Sequence, residues 1–232
     1  MKRKLVLFDI DGTSLLSGGA GRRAITAALV EAVGHAPGFE TVRFDGKTDP
    51  QIVAELLTAA GRPEPHDDAH VTALCDRYVA LLESELDVPD PAATLLPGIP
   101  ELLDALEREP SVLLGLLTGN LVVGASLKLR AAGVDPARFI VGAYGSDAAH
   151  RPHLPPIAAR RAAPHFGRVP HGREVVIVGD TPADIVCGGA IDAHTIGVAT
   201  GAYAVAELAD AGAHAVFADL TDTAAVLAAI LD

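Results

Sequence analysis

The sequence predicts an α/β fold, a Rossmann-like parallel sheet with helices on both faces, interrupted by an inserted all-helical cap. Three observations carry this reading. A short apolar run of strand length, residues 5–8, stands alone ahead of a long stretch with helical periodicity only. From residue 97 onward, apolar strand-like runs alternate with helical patterns, as in a βαβ series. Three of the strand-like runs also end in polar clusters, where ligands bind in open α/β sheets.

Taken in order, the run Leu-Val-Leu-Phe at 5–8 reads as a strand covered on both faces, with Gly12 punctuating it. At 21–33, Ala24, Ile25, Ala28, Leu29 and Ala32 recur at helical spacing, and Gly34 is the expected carboxyl cap. A second helix is expected over 50–60, with Asp49 as N-cap and Gly61 closing it; a third runs over about 67–86, opened by two aspartates and stopped near Pro89. The Pro-rich passage 88–97 reads as a return linker, and Gly18, Gly19 and Gly21 as a flexible hinge. Beyond it the pattern gives a helix at 99–109, a strand at 112–117, a helix at 122–132, a strand at 139–144 and a helix near 155–163. Strands at 174–178, 195–198 and 215–217 complete the series. The division expected is a core of residues 1–14 and 97–232 and a cap of residues 15–96, placed to act as a lid.

Composition narrows the function. The chain has 232 residues, half of them hydrophobic, enough for a sizeable core. A net charge of -12 leaves no basic footprint for nucleic acid or an anionic membrane surface, so neither is an expected partner. Cys75 and Cys187 lie far apart without metal-ligand spacing, which points away from a disulfide framework or a zinc site. The first apolar run is too short for a signal peptide, and no run of about 18 apolar residues reads as a membrane span. A cytoplasmic protein, monomer or homodimer, is the expectation.

The clusters at the strand ends are Asp9 with Asp11, Thr118 with Gly119 and Asn120, and Asp180 with Asp184. Carboxylates converging in one cleft repel one another unless a cation sits among them, and an all-oxygen donor set favours a hard metal such as magnesium. Such a metal, held by Asp9 and Asp180, would neutralise a phosphate approaching an attacking carboxylate. Thr118 and the amides of Gly119 and Asn120, at a helix amino terminus, form an anion site. A basic group is still required. Arg151 is favoured because it stands at a loop-to-helix entry; Lys128, about two turns into its helix, is the alternative. Read blandly, Lys128 is a solvated helix residue and Arg151 a surface partner of Asp147. His150, His153, His165 and His171 lack metal-ligand spacing and read as surface loop.

The order Asp-x-Asp-Gly-Thr, Thr-Gly-Asn, a basic residue before a helix, then Gly-Asp-Thr-Pro-x-Asp resembles the phosphatases of the haloacid dehalogenase superfamily, over residues 5 to about 198. The insert resembles that family's helical type 1 cap, and Phe44-Asp45-Gly46-Lys47-Thr48-Asp49 is similar to the cap loop of phosphoglycolate phosphatase-like members. The resemblance implies Asp9 as nucleophile and Asp11 as the acid and base that serves the leaving oxygen and the hydrolytic water. It implies magnesium held by Asp9, the carbonyl of Asp11 and Asp180, with Asp184 as a further ligand or support. Gly12, Thr118, Gly119, Asn120 and, from the cap, Lys47 are the implied substrate contacts. Arg151-Pro152 stands where the family usually has Lys-Pro, which keeps the charge and changes its geometry. Asp11 speaks against a dehalogenase or a phosphonate hydrolase. The expected function is a magnesium-dependent hydrolase of a small phosphorylated metabolite, phosphoglycolate-like first. The alternatives are a sugar phosphomutase and a non-catalytic binding protein on the same fold.

Overall fold

A computed structural model describes residues 4–34, 38–62, 64 and 66–232. Six strands form one parallel sheet: β1 (Lys4–Phe8), β4 (Val112–Leu117), β5 (Val141–Ala143), β6 (Val175–Gly179), β7 (His194–Val198) and β8 (Ala215–Phe217). Their order is β5-β4-β1-β6-β7-β8. β1 is therefore central, with Leu7 opposite Gly115 of β4 and Phe8 opposite both Leu116 of β4 and Val178 of β6. The chain reverses direction across the sheet at this strand, which opens the crevice where ligands bind in such folds.

Side chains of β1 alternate between two cores, as the period of two demands. Val6 and Phe8 face a layer with Leu102 and Leu106 of α4 (Ile99–Arg108), Leu129 of α5 (Val122–Ala131) and Ile230 of α9 (Thr223–Leu231). Leu5 and Leu7 face the opposite layer, with Leu154 and Ala158 of α6 (Leu154–Phe166) and Cys187 of α7 (Pro182–Cys187). The expected parallel sheet with helices on both faces is what the chain forms.

Between β1 and β4 lie α1 (Ala20–Val33), α2 (Asp49–Ala59) and α3 (Asp68–Leu86). They share a hydrophobic cluster of their own, which includes Ile25, Leu29, Val53, Leu56, Tyr78 and Leu82. Arg23 ties α1 to α3 through Glu85 at 2.6 Å. This stretch is not purely helical: β2 (Leu15–Leu16) pairs antiparallel with β3 (Thr94–Leu95), so both chain crossings between the helices and the sheet run through one two-stranded ribbon. Part of the passage read as linker is thus a strand.

Other boundaries also move. Thr48, not Asp49, is the N-cap of α2: its backbone is extended and its hydroxyl accepts from Gln51 N–H, while Asp49 already belongs to the first turn. The strand expected at 139–144 is only Val141–Ala143, and a helix, α8 (Val205–Asp210), precedes β8. Among the described residues no helix is long and apolar enough to cross a membrane.

Candidate active site

The loop leaving β1 is wound tightly on itself. Thr13, Ser14 and Leu15 all donate backbone N–H groups to the carbonyl of Ile10, and Gly12 N–H donates to Leu15. Ser14 Oγ donates to the Asp9 carbonyl at 2.6 Å. Gly12 has φ +84 and a Cβ there would strike the carboxylate of Asp180, so both conformation and space require glycine. The winding places the carboxyls of Asp9 and Asp11 at the mouth of the crevice.

Asp180 directly follows β6, and its Oδ1 accepts from Thr13 Oγ1 at 2.8 Å. Asp184 stands in the first turn of α7 in a reciprocal cap with Thr181, whose hydroxyl donates to Oδ2 at 2.7 Å. Arg151 Nη2 donates to Asp184 Oδ1, to the Leu117 carbonyl at 3.3 Å, and lies 3.1 Å from Asp9 Oδ1. Arg151 is buried between two carboxylates, not at the surface, and Asp147 pairs with Arg161 instead. Oxygens of Asp9, Asp180 and Asp184 lie within 4.8 Å of one another. Burial, only partly offset by Arg151 and reinforced by Asp184 and Asp11, pushes the Asp9 carboxyl up to about 6. Burial and repulsion from Asp184 and Asp9 push Asp180 up to about 8. Three buried carboxylates with one guanidinium, paired to Asp9 and Asp184 and not to Asp180, are short of positive charge, and an oxygen-only donor set of this kind fits a divalent cation such as magnesium.

On the other side of the loop, Asn120 Nδ2 donates to Asp11 Oδ2 and to Thr118 Oγ1, both at 2.8 Å. Lys128 Nζ donates to Asp11 Oδ2 and Asn120 Oδ1, both at 2.6 Å. Lys128 is therefore buried and aimed into the cleft, which overturns the solvated reading. Although burial raises the Asp11 carboxyl, the Lys128 ammonium and the hydrogen bonds from Lys128, Asn120 and Ser17 hold it below the usual range. Asp11 itself stays open, its side chain 40% exposed to the cleft.

The helical layer grips this loop from above. Asp49 N–H donates to the Gly119 carbonyl at 2.8 Å, and its carboxylate accepts from Leu121 N–H at 2.8 Å. Thr48 Oγ1 donates to the Ala149 carbonyl at 2.6 Å, two residues before Arg151. Gly119 must be glycine because a Cβ would collide with the carbonyl of Lys47. Burial, eased by Lys128 and Leu121 N–H, pushes Asp49 up to about 6.

Asp9, Asp11, Gly12, Thr118, Gly119, Asn120, Lys128, Arg151 and Asp180 line one cleft of about 710 Å³, roofed by α1, α2 and the loop before α2. Lys47 also borders it, but its ammonium is paired with Glu55 of α2. Asp184 does not line the cleft; its oxygens are committed to Thr181 and Arg151, so it supports from behind. His150, His153, His165 and His171 are all exposed. The sequence reading passed over Thr13, Thr181, Asp49 and Arg22. The threonines follow an Asp-Gly or Gly-Asp pair within the motifs, a signal that was available; Asp49 was visible only as a cap.

Residues 151–223 match the model of the HAD-hydrolase-like family. No curated protein matches the sequence. Among solved structures, a hydrolase from Pseudomonas syringae superposes with a TM-score of 0.72 at 22% identity, over 97% of each chain. A predicted phosphoglycolate phosphatase from Haemophilus somnus gives 0.71 at 19% identity, over 97% of this chain and 98% of that one. CbbY from Rhodobacter sphaeroides, in complex with phosphate, gives 0.68 at 20% identity, over 96% of both. At these identities the structures speak for the fold. Together with the family match they bear out the resemblance to haloacid dehalogenase-like hydrolases.

Proposed function

From a carboxyl-terminal segment that matches a hydrolase family and a cleft that gathers its motif residues, we propose a magnesium-dependent phosphatase of small organic phosphate monoesters. The observation that carries the reading is the charge-starved trio Asp9, Asp180 and Asp184 beside an anion loop, Thr118 to Asn120. Asp9, Asp180 and the carbonyl of Asp11 would hold magnesium, with Asp184 steadying Arg151 behind them. When bound, the ion supplies positive charge to the phosphoryl oxygens.

Asp9 attacks phosphorus, a bond forms to its carboxylate oxygen, and the bond to the alcohol oxygen breaks; Asp11, ionised at rest beside Lys128, must enter this step protonated, gives that oxygen its proton and is left ionised. In the second half Asp11 takes a proton from water, the water oxygen attacks the aspartyl-phosphate, and Asp9 leaves. Arg151, beside Asp9, and Thr118 with the Gly119 amide cradle the transferring group, whose transition state is stabilised by positioned charge. Asn120 orients Asp11 and Thr118 at once. The helical roof excludes water during the first half.

Phosphate release from a panel of small esters, with magnesium and with chelator, tests this. Chelator-sensitive turnover is the expected result. Isomerisation of a sugar phosphate without net release would replace it with a phosphomutase, and silence toward every ester with a binding protein. The proposal takes phosphoglycolate as the first ester and includes a cytoplasmic location and a monomer or homodimer.

A further inference from the structure

Asp49 borders the cleft as a buried carboxylate to which the proposed reaction gives no task. Its own helix does not need it: Thr48 is the N-cap of α2, and the Thr48 hydroxyl already accepts from Gln51 N–H. The carboxylate serves another helix. α5 begins behind Leu121, a side chain with no oxygen to offer the free N–H groups of a helix amino terminus. Acceptors come instead from two distant segments. Asp49 Oδ2 takes Leu121 N–H at 2.8 Å, and Ser146 Oγ takes Val122 N–H at 2.9 Å.

The residues just ahead of α5 are the anion loop, and Asp49 grips them a second time. Its backbone N–H donates to the Gly119 carbonyl at 2.8 Å. A trans peptide is planar, so turning that carbonyl toward α2 turns the next N–H, that of Asn120, the opposite way. Asn120 N–H accordingly donates to Thr118 Oγ1 at 3.3 Å. Between the two grips, Gly145 N–H donates to the Asn120 carbonyl at 2.8 Å. One residue of the roof thus holds the loop on both sides of Asn120. The bare Gly119 lets the chain come this close.

The geometry points to Asp49 as a positioning residue for phosphoryl transfer: its N–H and its carboxylate together orient the peptides from Gly119 to Leu121, and so aim the donors of the anion loop at the phosphoryl oxygens. The inference rests on the phosphatase reading. Because Asp49 acts through the loop and not on the departing alcohol, its effect falls on every ester alike and on inorganic phosphate bound in the same cradle.

The test compares para-nitrophenyl phosphate, phosphoglycolate and a sugar phosphate, with magnesium, and measures the Kd of inorganic phosphate by calorimetry. Asp49→Ala keeps the backbone grip and removes the carboxylate; Asp49→Asn keeps an oxygen for Leu121 N–H. Asp49→Ala should lower kcat/KM by one common factor across the three esters, about ten- to hundredfold, the scale for reacting groups misplaced by up to about 1 Å, and should weaken phosphate binding. Asp49→Asn should recover most of both losses. Arg77→Gln, which breaks the exposed roof pair with Glu31, should change neither. Asp49→Ser, whose oxygen stops a bond short of Leu121 N–H, stands in if Asp49→Ala falls below the wild-type Tm. Wild-type kinetics in the truncated variant overturn the inference and leave the phosphatase standing. So does a loss that differs from ester to ester with phosphate binding unchanged, since Asp49 would then act on the alcohol. A wild type silent toward all three esters overturns the phosphatase and the inference with it.

Discussion

The two halves of the cleft solve opposite electrostatic problems. Around Asp9, three buried carboxylates cluster, only Asp9 and Asp184 are paired with Arg151, and both Asp9 and Asp180 are pushed toward their neutral forms. Around Asp11, one carboxylate faces an ammonium and an amide, and is pushed toward its charged form. The first half is incomplete without an added cation; the second is satisfied by the protein's own groups. A site that must receive a metal and a phosphate is left charge-hungry where they arrive, and saturated where a proton is handed over.

The contrast is most open to attack at Asp9. Asp9→Asn should lower phosphate release by about ten-thousandfold, the scale for losing a covalent nucleophile, and undiminished turnover would break the assignment. Next comes the guanidinium. Arg151→Met leaves buried charges uncompensated and should cost about 3–5 kcal/mol in denaturant unfolding without metal. Lys128→Met should cost less, about 1–3 kcal/mol, because Asp11 remains open to water. Equal losses would erase the difference between the halves. Magnesium at about a hundred times its Kd should stabilise the wild type by about 2.7 kcal/mol, and Asp180→Asn should abolish most of that gain in thermal unfolding.

The effect sharpest in sign is with pH. Asp180 and Asp9, raised to about 8 and about 6, keep protons that the unfolded chain, with carboxyls near 3.9, has released. The metal-free fold should therefore lose stability as pH rises from about 4 to 8. Asp11 runs the other way: its contribution is present above the unfolded carboxyl value and is lost as pH falls through its lowered one. Magnesium should flatten the first slope and leave the second.

Much of this was legible in the residues alone, for identifiable reasons. β1 from Leu5 onward, β4 and β6 are apolar runs buried throughout, and each is followed by its polar cluster, so periodicity and composition agreed. β2 and β3 have two residues each, too few to show alternation, and exist by pairing with each other. α8 is six residues with only Leu208 buried, too short to leave a stripe. Lys128 stands in the sequence only as the second candidate for the basic group, because a lysine in a helix is ordinarily solvated. The pattern did hold a clue: Gly124, Ala125, Lys128 and Leu129 form one buried stripe of α5, so the lysine lies on the inward face. Arg151 was placed correctly at a helix entry, but a partner 33 residues away, Asp184, cannot be found from local pattern.

The clasp between roof and sheet joins Thr48 and the backbone and carboxyl of Asp49, in the turn that opens α2, to the Ala149 carbonyl, Leu121 N–H and the bare Gly119 of the sheet domain. Arg22 and Gly21 belong to α1. The contacts that seat the roof and the residues of α1 that border the cleft thus lie in separate stretches of chain. Exchanging residues along the first turn of α1 can retune which molecules are admitted while the shutter keeps its fit, a modular arrangement in which new substrate preferences evolve, or are engineered, without rebuilding the machinery that shuts.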